Sequence, residues 1–313
     1  MPSFQSPPAS LLHKLRSARA ADPEHLSEAL RMLEVCPLTG GRQNHVYAAA
    51  VDGTPICIKI YKVDDLRRDE REWAALNLLA DHGCRQAPAP LWCDLSSPQP
   101  AVGMTLLRGT SLLNLDPPER RAALKGLAET TQRIQRLPLS GPLTWDRHDS
   151  VALYMHRLTR TWPAQLADHN DDPLTADMRA LLAAWHDSGD AHMLARPAAP
   201  VLSRGDANLV NWLQTGDGTA CVDFEFAGVG DIATDAADHV EHISARHIPD
   251  ADWHDLLPDL GVGPAERSRF AAAQRTCALR WLAVLWKQRI ARAEEFDTQL
   301  RRVRMLQRDG WSA

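Results

Sequence analysis

A change in hydrophobic period near Gly109 constrains the fold of this 313-residue chain more than any other feature. Before that point, residues 56–61 carry isoleucine at every second position, the period of a strand with one buried face. This segment follows Asp52-Gly53, a strong signal for a tight hairpin turn. After Gly109, apolar residues recur mainly at helical spacing. The sequence therefore predicts an α+β fold in which a small antiparallel sheet with one helix precedes a larger, mainly helical lobe.

Helical spacing predicts helices on both sides of this boundary. Residues 10–35 indicate one or two short helices, and residues 69–82 predict an amphipathic helix that carries Glu72 on its apolar face. A strand-rich insert, residues 201–228, interrupts the second part. The helices predicted there span residues 118–136, 151–167 and 175–186, with a last long helix over 266–292.

Composition excludes several classes of protein. A formal net charge of −5 argues against general affinity for nucleic acid, which needs a basic surface. The six cysteines form no CxxC pair, which argues against a zinc or redox motif. No apolar run approaches the roughly 20 residues that cross a bilayer, and residues 1–10 do not have the pattern of a signal peptide. We therefore expect a cytoplasmic protein without a membrane partner, and nothing in the sequence calls for an obligate protein partner.

Two carboxylate motifs carry the chemistry. Asp206 and Asn211 are separated by four residues, the Asp-to-Asn spacing of the kinase catalytic loop. This spacing lets one carboxylate face a substrate hydroxyl while the amide turns toward a metal ion. After a short hairpin signal, an apolar strand ends in Asp223, which is suited to hold Mg²⁺. The hairpin predicts that the two segments lie together, so that Asn211 and Asp223 share a metal.

These residues resemble the aminoglycoside phosphotransferase and choline kinase group, relatives of the protein kinases. The resemblance covers about residues 38–240. It implies a bilobal protein-kinase-like fold and a kinase that uses ATP or GTP with Mg²⁺ on a hydroxyl of a soluble small molecule. It also implies that Asp206 is the catalytic aspartate, that Asn211 and Asp223 are metal ligands, and that Asp235 is a structural support.

The first part of the chain agrees with this resemblance. Lys59 is similar to the strand lysine that holds the α- and β-phosphates, and Glu72 to its ion-pair partner. Residues 38–47 resemble a phosphate-covering hairpin, and residues 104–107 occupy the place of the hinge that carries adenine. The further nucleotide-binding residues implied are Gly40, Gly41, Asn44, Thr105 and Leu107. The domains expected are a helical segment over 1–30, a nucleotide-binding lobe over 31–108 and a catalytic, substrate-binding lobe over 109–313.

One departure keeps a second interpretation open. Arg204 replaces the histidine that usually precedes the glycine and aspartate of the catalytic loop. A nucleotide-binding protein that has lost catalysis is therefore the alternative to an active kinase. A kinase acting on protein side chains is not favoured, because little room lies between Asp223 and Asp235 for an activation segment.

Two further features bear on the acceptor. Residues 201–260 hold twelve acidic and two basic residues, a balance of −10 that favours a cationic or amino-bearing acceptor by steering. Trp281 and Trp286 on the last predicted helix are candidates for the acceptor pocket. The acidic window also contains three histidines, His239, His242 and His247. They lack the i, i+4 histidine pair of a zinc motif, and we interpret them as surface or cap residues.

Overall fold

The computed structural model describes residues 7–20, 23–38, 44–144 and 150–309. The chain divides into two compact units, and it passes between them more than once. The first unit comprises Met1–Thr110 and Leu213–Phe226, and the second comprises Ser111–Trp212 and Ala227–Ala313. Among the helices described, none combines the length and the apolar character needed to cross a membrane.

A five-stranded antiparallel sheet forms the centre of the first unit. Its strands are β1 (Cys36–Pro37), β2 (His45–Val51), β3 (Thr54–Ile60), β4 (Pro90–Asp94) and β5 (Ala101–Thr105), in the order β1-β2-β3-β5-β4. Asp52 and Gly53 join β2 to β3 and both have positive φ, as a tight hairpin turn between twisted strands requires. The isoleucines of β3 are fully buried, which confirms the period-two interpretation.

Three helices complete the described part of the first unit. These are α1 (Ala9–Ala20), α2 (Pro23–Met32) and α3 (Arg68–Asp81). Leu12, Leu15 and Leu30 pack with the isoleucines of β3 in one core, so the opening helices belong to this unit. On α3, Glu72 shares the buried face with Leu76 and Leu79, as its spacing predicts.

The second segment of the first unit contains a short hairpin. Its strands are β8 (Trp212–Thr215) and β9 (Gly218–Cys221), which form one sheet with β6 (Thr110–Ser111) in the order β6-β8-β9. Two other short strands, β7 (Val201–Ser203) and β10 (Gly228–Gly230), pair with each other in the second unit. At the end of the β8–β9 hairpin, the Cys221 amide donates to the Gln86 carbonyl at 2.8 Å. This contact fixes the start of the segment that carries Asp223.

The second unit is mainly helical, so the predicted α+β class is confirmed. Its helices are α4 (Pro117–Gln135), α5 (Ser150–His156), α6 (Trp162–Ala167), α7 (Leu174–Asp187), α8 (Asp190–Ala195), α9 (Ile232–Glu241), α10 (Asp250–Leu256), α11 (Arg267–Trp286) and α12 (Ala293–Asp309). A π-helical turn, Arg157–Thr161, joins α5 to α6. The helix predicted over 266–292 is confirmed over Arg267–Trp286. It ends earlier than predicted and is not the last helix, because a separate α12 follows and packs against it.

Candidate active site

Lys59 is the centre of a buried charge cluster in the first unit. It lies on β3 with only 4% of its surface exposed. Its Nζ lies 2.6 Å from Glu72, 2.6 Å from Asp223 and 2.8 Å from Glu225. Burial acts to lower the pKa of Lys59, but the three carboxylates outweigh it and hold that pKa well above its usual range. The side chain is therefore a fixed positive charge at neutral pH.

Glu72 is held in place from several directions. The Tyr61 hydroxyl donates to its Oε2, and the Phe224 amide donates to its Oε1 at 3.0 Å. One residue earlier on α3, Arg71 donates to the Phe226 carbonyl at 2.9 Å. These bonds tie α3 to the segment that carries Asp223, so the ion pair between Lys59 and Glu72 has a single geometry.

Asp223 and Glu225 supply the other two carboxylates. Asp223 has a φ of 68°, a left-handed conformation that costs a non-glycine residue energy and that often marks functional sites. Glu225 accepts from the Asn44 amide and lies 3.4 Å from Arg68. Burial raises the pKa of Glu225, and Lys59 opposes that shift. One oxygen from each of Glu72, Asp223 and Glu225 lies within 4.8 Å of the others, a spacing that a divalent cation can bridge.

The remaining predicted nucleotide contacts have different surroundings. Asn44 accepts from the Lys62 amide at 3.2 Å while it donates to Glu225. Thr105 ends β5, and its amide and hydroxyl both bond to Ala89. Leu107 follows that strand outside any regular element. Gly40 and Gly41 lie outside the described residues.

The second unit holds the loop with Asp206 and Asn211. The Asn211 side-chain amide donates to Asp206 Oδ2 at 2.7 Å, and the Asn208 backbone amide donates to Oδ1 at 3.0 Å. Asn208 also caps the short 3₁₀ helix Leu209–Asn211. The Asp-to-Asn spacing thus places a carboxylate and an amide side by side, with the carboxylate oriented by two donors.

Asp235 braces the same loop. It accepts from the Ser203 hydroxyl at 2.6 Å and from the Gln135 amide at 3.0 Å, and Ser203 Oγ accepts from the Gly205 amide at 3.0 Å. Burial raises the pKa of Asp235 to about 7. Gly230 packs so closely that a Cβ there would lie 2.6 Å from the Ser203 Cβ. The geometry agrees with the structural role that the resemblance implies for Asp235.

A model of the phosphotransferase enzyme family, APH, matches residues 34–273. The chain belongs to the phosphotransferase enzyme family. No curated protein sequence gives a significant match.

Solved structures share the fold of this phosphotransferase. The spectinomycin phosphotransferase APH(9)-Ia is 14% identical, with a TM-score of 0.62 over 90% of this chain and 94% of its own. A choline/ethanolamine kinase family protein from Mesorhizobium loti is 16% identical, with a TM-score of 0.63 over 95% of each chain. A thermostable mutant of the aminoglycoside phosphotransferase APH(4)-Ia is 15% identical, with a TM-score of 0.64 over 92% of this chain and 99% of its own. The predicted kinase-like fold and family are thus confirmed.

The interpretation of the three histidines of this phosphotransferase as surface or cap residues is confirmed for His242 and His247 and is wrong for His239. His239 and His242 are buried, not on the surface, whereas His247 is exposed as predicted. His242 is a cap, because its Nδ1 accepts from the Ser244 amide at 3.1 Å. Arg204, in the place of the usual loop histidine, is buried with its guanidinium 5.4 Å from the Trp212 ring centre. Burial, with a smaller contribution from Arg204, lowers the pKa of His239 to about 3.

Much of the acidic charge counted in residues 201–260 is paired. Asp238 accepts from Arg280 at 2.8 Å and from the Tyr154 hydroxyl at 2.8 Å. Glu241 lies 2.6 Å from Arg302 and 2.7 Å from Arg246. The steering argument for a cationic acceptor therefore loses much of its physical basis. Of the two candidate pocket tryptophans, Trp286 lies in the helical core, while Trp281 packs against His242.

Sequence reasoning missed two residues of these clusters. Glu225 follows Asp223 at i+2, and its contact with Lys59 at 2.8 Å joins distant parts of the chain, which local spacing does not predict. His242 lies 3.8 Å from Asp206 through Nε2 and Oδ1. The signal for it was present, because Asp235, His239 and His242 recur at i, i+4 and i+7, the spacing of one helix face.

Proposed function

We propose that this phosphotransferase moves the γ-phosphate of ATP or GTP, with Mg²⁺, onto a hydroxyl of a soluble small molecule. The observation that carries the proposal is the cluster around Lys59. A buried ammonium group held by three carboxylates is a poor way to gain stability, because desolvating the charges offsets their attraction. It is a suitable way to keep a positive charge and metal ligands ready for a triphosphate.

The residues present fit a magnesium ion. Carboxylate oxygens are its usual protein ligands, and three of them lie within 4.8 Å of one another in the first unit. Asp223 is the proposed ligand within this group, and the family resemblance alone implies Asn211, in the second unit, as another. A bound Mg²⁺ would neutralise charge on the phosphate oxygens.

Each predicted residue then has a task. Lys59 binds the α- and β-phosphates, and Glu72 holds Lys59 at 2.6 Å in a fixed direction. Asp206 orients the acceptor hydroxyl and accepts its proton as the oxygen attacks phosphorus. Asn44 acts through Glu225. For Gly40, Gly41, Thr105 and Leu107 the proposed nucleotide contacts rest on the family resemblance.

The nature of the acceptor follows from the structural relatives only as a class. APH(9)-Ia was solved with ADP and spectinomycin, and the APH(4)-Ia mutant with ADP and hygromycin B. These support a nucleotide and a hydroxylated small molecule as substrates. A first acceptor panel should contain choline, ethanolamine, spectinomycin, hygromycin B and gentamicin, together with common hydroxylated metabolites.

The test is acceptor-dependent release of ADP or GDP by the wild-type protein and by Asp206→Asn. Loss of a positioned base costs about 10²–10⁴-fold in turnover, whereas nucleotide binding, measured by thermal shift, should stay near wild type. An Asp206→Asn variant with wild-type turnover would refute the assignment. Nucleotide binding without turnover of any acceptor would instead support the catalytically impaired protein that Arg204 suggested.

A further inference from the structure

His242 ends α9 next to the catalytic loop. Its backbone amide donates to the Asp238 carbonyl at 2.8 Å, which closes the helix, and its Nε2 lies 3.8 Å from Asp206 Oδ1. The residue is 4% exposed, and its imidazole meets the Trp281 ring edge to face, with centroids 4.5 Å apart. Packing therefore leaves the ring one orientation, with Nε2 toward the carboxylate.

The tautomer of this ring is fixed by its other nitrogen. The Ser244 amide donates to Nδ1 at 3.1 Å, so Nδ1 carries a lone pair and not a proton. Ser244 Oγ lies 2.7 Å from the same nitrogen and accepts from the Leu209 amide at 3.0 Å, so its hydroxyl proton shares the single Nδ1 lone pair with the Ser244 amide. In the neutral ring the proton is then on Nε2, the atom that faces Asp206.

Burial keeps the ring neutral, since it lowers the pKa of His242 to about 3. A neutral Nε2–H is a hydrogen-bond donor only, so it cannot remove the proton from the hydroxyl of the acceptor substrate. The distance of 3.8 Å exceeds a direct hydrogen bond, but catalytic hydrogen bonds are often long in free enzymes and shorten when substrates bind.

We propose that His242 is a positioning residue for Asp206: its Nε2–H donates to the Asp206 carboxylate in the substrate complex and holds it toward the acceptor hydroxyl. This inference rests on the proposed function. It assigns to α9 a second contact with the catalytic loop, two turns beyond Asp235, which braces Ser203.

Two substitutions separate positioning from capping. His242→Asn keeps a side-chain oxygen for the Ser244 amide, as a good cap does, but asparagine is too short to present a donor where Nε2 lies. His242→Gln places an amide N–H near the position of Nε2 and loses the cap. The same change at the exposed His247, His247→Asn, is the matched control.

Steady-state kinetics would use MgATP with the best acceptor of the panel, and MgATP hydrolysis with water as the attacking group. We expect His242→Asn to lower kcat by about 10- to 100-fold with KM values within about twofold, because a small misplacement of a catalytic group has this effect. His242→Gln should recover most of kcat, and His247→Asn should match wild type. Three results would each overturn the proposal. They are a wild-type kcat in His242→Asn, a lower kcat in His242→Gln than in His242→Asn, and a change that is confined to the KM of the acceptor.

A measurement without turnover tests the same idea. Side-chain ¹⁵N NMR of the free protein at pH 7 should show His242 protonated on Nε2 and unprotonated on Nδ1. A proton on Nδ1, or on both nitrogens, would overturn the inference. Failure of the proposed function is distinct from either result, because it would appear as wild-type turnover in Asp206→Asn.

Discussion

Replacing Lys59 by methionine tests the charge cluster most directly. Methionine keeps the apolar stem of lysine, so the change removes the charge with little loss of packing. Each carboxylate lies 2.6–2.8 Å from Nζ, which corresponds to roughly 6 kcal/mol of Coulomb attraction per pair at an effective dielectric constant of about 20. The cost of desolvating these charges offsets most of that sum. Removing one partner of a buried pair leaves charge uncompensated, and we expect a loss of about 3–5 kcal/mol in the free energy of unfolding.

Magnesium should reverse part of this loss. In Lys59→Met the oxygens of Glu72, Asp223 and Glu225 remain within reach of one cation. A ligand of the folded state at 100 times its Kd adds about 2.7 kcal/mol of stability. Urea unfolding in EDTA and in excess MgCl₂, with Lys62→Met as the exposed control, measures both effects. The reasoning is refuted if Lys59→Met is as stable as wild type in EDTA, or if Mg²⁺ stabilises it no more than it stabilises the control.

Three further predictions follow from individual contacts. The folded-state pKa of Asp235, about 7, lies above its ordinary value, so this group contributes stability at low pH that is lost as pH rises toward 7. Asp235→Asn should flatten that decline in the free energy of unfolding, measured with urea between pH 4 and 7. An unchanged slope would contradict the prediction. Gly230→Ala should destabilise the fold by about 1–3 kcal/mol, because the added Cβ would collide with Ser203. Gly216→Ala is the control, since no atom lies within 4 Å of a Cβ added there, and it should have little effect. Equal free energies of unfolding for the two variants would disprove the close approach at Gly230. Glu225→Gln should raise the Mg²⁺ concentration for half-maximal activity about tenfold, which corresponds to a loss of about 1.4 kcal/mol in binding free energy. An unchanged Mg²⁺ concentration for half-maximal activity would exclude Glu225 from the metal site.

Local patterns predicted the elements that carry the site. The alternation of isoleucines around Lys59 predicted β3, and the Asp52-Gly53 signal predicted its hairpin. The spacing of Glu72 from Leu76 and Leu79 predicted the buried face of α3. These features depend on side chains a few residues apart, so a single sequence contains them. The same holds for Asp206 and Asn211, whose contact at 2.7 Å spans five positions.

Contacts between distant segments were not predictable in the same way. His242 was interpreted as a surface or cap residue because the histidines lack the i, i+4 pair of a zinc motif. It is a cap, but that spacing does not predict its burial against Trp281. The end of α11 at Trp286 was missed, although Ile290, four residues beyond it, is 87% exposed. Gly40 and Gly41, outside the described residues, remain predictions.

The acidic balance of residues 201–260 shows why a count of charges along a chain is a poor guide to the field of a folded enzyme. Arg280 and Arg302, which lie outside that window, pair with Asp238 and Glu241 inside it. The field of a close ion pair falls off faster than that of a lone charge, and ions in solution screen the remainder beyond about 8 Å. These pairs therefore contribute little to long-range attraction of a cation, and they hold α9 against α11 and α12 instead. Since α9 also carries Asp235 and ends at His242, the arginines that cancel the acidic charge also fix the helix that carries the two proposed supports of Asp206.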